Sequence, residues 1–212
     1  VTDLNKAMTL VDMTMSNMSG SSLNSLKQQS LSMAKDLSTA TKTVTDAVTI
    51  YANENESVSS MLNKAQPTVL LSAASGMSSS SSADAIQGIL NQFNLSEDQA
   101  MHVADTVEKL SSEIALDFSK GCDTISQSIA TSGSVVNEAG MSFEKYAALV
   151  STTAEKTRQS GSVIGNAFKT IFSRISRSKD GLTTDAEMSD AEAALKSVGV
   201  SVRGADGDLR DI

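Results

Sequence analysis

The chain has 212 residues, a formal net charge of −8, 3% aromatic residues, no Trp and a single Pro. That length fits one or two domains with a sizeable core. The acid excess excludes chain-wide attraction to nucleic acid, which needs counterion release by basic residues, and to an anionic membrane surface.

A core drawn from Ala, Val, Leu, Ile and Met suits close-packed helices, because a sandwich or a doubly wound sheet takes more β-branched and aromatic residues. The expected class is all-α: short antiparallel helices in a bundle-like array, with one small β-hairpin or extended turn near the C-terminus. Cys122 is the one cysteine, so no internal disulfide forms, which fits a reducing compartment. No basic segment followed by an apolar run opens the chain, so no signal peptide is visible. No window approaches the roughly 18–20 consecutive apolar residues of a membrane helix. The chain starts at Val1 rather than Met and stops at Asp211-Ile212, which reads as a piece of something longer.

Residues 1–66 form the first expected unit, of polar N-terminal helices. Leu4, Ala7, Met8, Val11, Met15 and Met18 recur at helical spacing, and after Gly20 the pattern resumes with Leu23, Leu26, Leu31, Ala34 and Leu37, then Val44, Val48, Tyr51 and Ala52. Stripes this thin need a partner, which predicts homo-oligomerisation. Pro67 marks a boundary, since the residue before a proline disfavours helix. It opens the second unit, 67–179, a helical core that begins with the short apolar stretch Thr68–Ala74.

The serine run Ser78–Ser82 reads as a helix–helix loop ending in an N-cap, because Ala83, Ile86, Ile89, Leu90 and Phe93 start a periodic pattern at once. Ser96-Glu-Asp-Gln99 is a capping box. The helix it opens carries Ala100, Val103, Ala104, Val107, Leu110, Ile114 and Phe118, with Gly121 as its expected end. Ile125, Ile129 and Val136 follow. After Gly140, Met141 and Tyr146 are placed to staple a helix N-capped by Ser142, with Phe143, Tyr146, Ala147, Val150 and Ala154 inward. A last strong helix spans about Gly161 to Arg177, its inward stripe formed by Val163, Ile164, Ala167, Phe168, Ile171, Phe172 and Ile175. The third unit, 180–212, pairs an acidic helix capped by Thr184-Asp-Ala-Glu187 with a hairpin of Val200–Arg203 and Asp208–Ile212 around Gly204–Gly207, and continues into residues beyond this chain.

Catalysis needs titratable groups of complementary kinds brought together, and the sequence offers few. His102, the one histidine, lies beside an apolar helical face and lacks metal-ligand spacing. Cys122 reads as a small buried residue just past a helix end, with no basic neighbour to activate it. Glu108/Glu113 and Asp185/Glu187/Asp190/Glu192 read as solvated faces, with nothing apolar arranged to raise a carboxyl pKa. Asp206, Asp208 and Asp211 fail the calcium-loop spacing. Gly161-Ser-Val-Ile-Gly165 lacks the lysine and strand of a phosphate loop and instead permits close helix approach. No catalytic residue, cofactor or metal is therefore expected, and no enzyme.

One charge feature stands out. Lys156, Arg158, Lys169, Arg174, Arg177 and Lys179 form a basic run without an acid, whereas 180–212 holds eight acids against three bases. These six residues are the candidate interaction surface. Self-complementarity, within the chain or between copies, is the simpler use of them. Contact with nucleic acid lacks support, because the aromatics between them, Phe168 and Phe172, sit on the apolar stripe.

Several segments in order carry a resemblance: Val69–Met77, Ala83–Phe93, Asp117-Phe118 with Gly133, Ala139–Glu144, the more specific Glu155–Arg174, then Ala194–Arg203 and Gly207–Asp211. Together, over roughly residues 40–212, they resemble the core region of phage tail tape measure proteins, the family typical of long non-contractile tails. The resemblance implies a virion structural protein inside the tail tube that sets tail length, templates tube assembly and is ejected ahead of the DNA. Implied partners are tail tube and tail-tip proteins and tail assembly chaperones, in the host cytoplasm during assembly. No catalytic residue carries over. The competing reading is a helical binding module or secreted effector-type bundle that binds a host protein. A ruler gains about 1.5 Å per helical residue, but the glycines and caps predict short helices folded back on each other.

Overall fold

In the computed structural model, residues 2–15, 19–53 and 56–179 are described. The expected hairpin and acidic helix of 180–212 lie outside them. The described residues hold nine α-helices and no strand: α1 (Thr2–Thr14), α2 (Gly20–Asp36), α3 (Thr41–Asn53), α4 (Val58–Ser75), α5 (Ser79–Gln92), α6 (Ala100–Glu113), α7 (Phe118–Glu138), α8 (Phe143–Thr157) and α9 (Gly161–Lys179).

Small polar residues punctuate this array. Ser19, Ser57, Ser78, Asp117 and Ser142 each N-cap a helix, the side-chain oxygen accepting from the backbone N–H three residues on. The serine run is thus a cap at Ser78 followed by the first turn of α5. The Ser96 N–H donates to Gln99 Oε1 at 3.2 Å, the expected return bond of the capping box, across a short 3-10 turn that leads into α6. Inside the helices, hydroxyls donate to the carbonyl four residues back, as Thr68 does to Lys64, Ser132 to Ser128 and Ser151 to Ala147. These buried hydroxyls are satisfied locally in this way and still let helices approach closely.

Two apolar clusters hold the helices together. The first gathers Val11, Leu26, Val44, Val48, Tyr51, Met61 and Ala65, all fully buried. The second gathers Ile86, Ile89, Val103, Val107, Ile125, Ile129, Phe143, Tyr146 and Val150 from α5–α8. Helix α4 serves both, with Val69 in the first and Leu71 in the second. The thin stripes before residue 66 therefore close a core with one another and α4, and their thinness does not call for a second chain.

Three expectations are corrected. Pro67 ends nothing: it is buried within α4. A mid-helix proline costs about 3 kcal/mol, and burial of Met61, Ala65, Val69 and Leu71 around it, each apolar side chain contributing on the order of 1–3 kcal/mol, offsets that. The helix opened near Ser96 stops at Glu113, Ile114 turns extended, and Asp117 caps α7. Gly121 and Cys122 consequently lie in the opening of α7, not at or past a helix end. Gly121 is small because a Cβ there would stand 3.0 Å from Ser111 Cβ of α6.

Candidate interaction surface

Helix α9 lies along α7 with its first turns pressed on a small-residue face. A Cβ at Gly161 would meet the Thr124 carbonyl oxygen at 2.3 Å, and one at Gly165 would meet Thr131 Cβ at 2.7 Å and the Ser128 carbonyl at 2.8 Å. The expected close approach of the Gly161–Gly165 pair is realised against α7. Farther along, Phe168 and Phe172 meet the Tyr146 ring edge-on, with centroids 5.6 and 6.4 Å away. The Tyr146 hydroxyl hydrogen-bonds the hydroxyls of Ser128 and Ser132 at 3.2 and 2.5 Å. Tyr146 thus ties α7, α8 and α9 at one point.

The inward stripe of α9 is narrower than its sequence suggests. Ile164 and Phe172 are buried and Phe168 and Ile175 half-buried, but Val163 is 51% and Ile171 39% exposed, and Ala167 is exposed as well. At 100° per residue, Val163, Ala167, Arg174 and Arg177 fall within about 80° of one another on the outer face, with Ile171 at one edge and Lys169 off the other by about 80°.

The six basic residues do not form one patch. Lys156 is exposed in the last turn of α8. Arg158 takes the left-handed conformation that ends α8 (φ +58°), and its Nη1 donates to the Ala115 carbonyl in the α6–α7 connection. It is a strut. Lys169, Arg174 and Arg177 are exposed on α9, and Lys179 is that helix's last residue. None of the first five pairs with a carboxylate among the described residues.

The other singled-out residues resolve as follows. His102 Nε2 lies 2.9 Å from Glu144 Oε1, bridging α6 and α8 at the surface, with the imidazole edge-on to Phe143. That contact holds the Glu144 carboxyl below its usual range. Burial pushes the Cys122 thiol up, against thiolate formation. Glu113 is solvated, but Glu108 is half-buried: burial first, and Asp105 second, raise its carboxyl, and its Oε1 has no hydrogen-bond partner among the described residues. The expectation of a wholly solvated carboxylate face fails at Glu108. Among the described residues no three His, Cys, Asp or Glu cluster as metal ligands, and no helix is long and apolar enough to cross a membrane.

Sequence reasoning missed two polar clasps. Lys64, 1% exposed, donates to Glu56 Oε1 and to Gln87 Oε1 and lies over the Tyr51 ring, 4.7 Å from its centroid. Gln92, at the end of α5, donates to the Ala130 carbonyl at 3.0 Å and accepts from the Ser134 N–H at 2.9 Å. A charged residue on the apolar side of a helical repeat, as Lys64 is between Met61 and Ala65, was the available signal for the first.

The family model for phage-related minor tail proteins matches residues 27–212. The chain belongs to this family. The match begins earlier than the residue-40 limit of the motif resemblance, and so takes in most of α2. Among curated proteins, a probable tape measure protein of Escherichia phage P2 is 24% identical over 187 residues, covering 88% of this chain and 21% of that protein. The chain therefore spans about a fifth of the length of that relative. No solved structure matches it. Family membership gives a structural role in a phage tail and a place in the virion, and it bears out the resemblance to tape measure proteins.

Proposed function

We propose that the chain is a segment of a phage tail tape measure protein, the part of the virion that sets tail length, templates tail tube assembly inside the tube and leaves ahead of the DNA. The observation that carries this is the family match over residues 27–212, joined to a relative that bears the tape measure name. The helical fold supports a docking role for this segment. Its longest helix, α7, has 21 residues and so spans about 32 Å. The helices double back, so this segment is a docking module, and length is metered elsewhere in the full protein. Its partners are tail tube and tail-tip proteins and assembly chaperones. The exposed Leu10 (52%) and Met13 (75%) of α1 give a surface for a second copy.

In-frame deletion of residues 2–179 from the parent phage gene tests the reading. Tape measure function predicts tails that fail to assemble or have aberrant length, seen by electron microscopy. Normal, full-length tails that fail only in a host-protein interaction would overturn it in favour of a binding module.

A further inference from the structure

The outer face of α9 is unusual for this chain. It exposes Val163, Ala167 and Ile171 beside Arg174 and Arg177, and no described carboxylate reaches these bases. Scattered exposed apolar residues need no explanation, but an apolar and basic stripe along one helix fits an apolar and acidic partner.

Such a partner follows in the sequence. After Lys179, Met188, Ala191, Leu195 and Val198 recur at i, i+3, i+7 and i+10, the spacing of one helical face. On the same helical projection Asp185 and Glu192 flank that stripe on one side and Glu187 on the other. We propose that residues 184–198 of the same chain dock antiparallel on the outer face of α9. The inference rests on the charge and apolar pattern of α9 and does not depend on the tape measure reading.

Three considerations favour this occupant. The connector 180–183 spans up to about 13 Å, enough for a reversal between helices packed 8–10 Å apart. An antiparallel register brings Asp185 and Glu187, close after the connector, level along the axis with Arg177 and Arg174, close before it. The same register sets Leu195 and Val198 against Ala167 and Val163. The order of charged and apolar residues along the two helices thus agrees in one alignment, without a second molecule.

Hydrogen–deuterium exchange on the 212-residue chain tests it. The expected result is slowed exchange in 184–198 that is unchanged on tenfold dilution. Arg174→Glu/Arg177→Glu should speed that exchange by about fivefold, the scale of two exposed ion pairs, and adding Asp185→Lys/Glu187→Lys should restore it. Leu195→Asp, which lies outside the nine helices, should free the same peptide and leave α1–α8 protected. Exchange of 184–198 at unstructured rates would overturn the proposal. So would protection lost on dilution, which would put a second copy on the face, or protection indifferent to the charge reversals.

Discussion

Gly161 of α9 and Thr124 of α7 approach so closely that a Cβ at position 161 would stand 2.3 Å from the Thr124 carbonyl oxygen. Backbone oxygen cannot swing aside as a side-chain end can, so the helices themselves must separate to admit a methyl group. Gly161→Ala should destabilise the fold by about 1–3 kcal/mol, the usual range for overpacking. Gly88→Ala is the control. It sits in the interior of α5 with nothing within 4 Å of its would-be Cβ, so it should stabilise by about 0.5–1 kcal/mol. Chemical denaturation of both variants checks the pair, and equal effects would deny the close contact.

Lys64 tests the buried clasp. Its ammonium is enclosed by Glu56, Gln87 and the Tyr51 face, while Glu56 is itself only 15% exposed. Lys64→Met keeps the length of the side chain but strands the Glu56 carboxylate, so it should cost about 3–5 kcal/mol. Adding Glu56→Gln should recover much of that loss, because the uncompensated charge goes with it. A double variant no better than the single one would show that the lysine stem, not the ion pair, carries the stability.

The elements that were legible in the sequence are those decided locally. Ser142 caps α8, Gln99 returns to Ser96, and Gly161 opens α9, because caps and close-approach glycines involve neighbours in the chain or a fixed spacing. What was misread is decided at long range. Pro67 stays helical because both clusters grip α4 around it, and a glycine stands at 121 inside α7 because Ser111 of another helix leaves little room for a Cβ there. The basic run was visible as a list of charges, but only the fold separates Arg158, spent on the Ala115 carbonyl, from Arg174 and Arg177 on an open face. The resemblance to tape measure proteins was legible because it rests on ordered local motifs, most of them in the helices of the second cluster.

The aromatic cluster around Tyr146 separates two phenylalanines that look equivalent by spacing. Phe172 is 4% exposed, whereas Phe168 is only half-buried although its ring lies nearer Tyr146. Phe172→Ala should cost about 3–5 kcal/mol, and Phe168→Ala about half of that, since part of its surface is already in water. Urea titrations followed by circular dichroism would read both, and the reverse order would mean that α9 is rotated from the position described.

Two carboxylates give the stability profile opposite pH slopes. Glu108 is held above the ordinary glutamate value by burial and by Asp105. Its ionisation therefore costs folding energy as pH rises from the unfolded value of about 4.3 through the raised folded one. Below that window the cost is absent. Glu144 is held below the ordinary value, first by the hydrogen bond with His102. Its contribution is present above about pH 4.3 and is lost as pH falls through the lowered folded value. Glu108→Gln should thus raise Tm at pH 7 and leave it unchanged at pH 3. Glu144→Gln should lower Tm at pH 7 by no more than about 2–4 °C, the scale of an exposed pair, with the loss fading at low pH. Scanning calorimetry at the two pH values decides, and a Glu108→Gln variant that melts earlier at pH 7 would show that its carboxylate is paired rather than stranded.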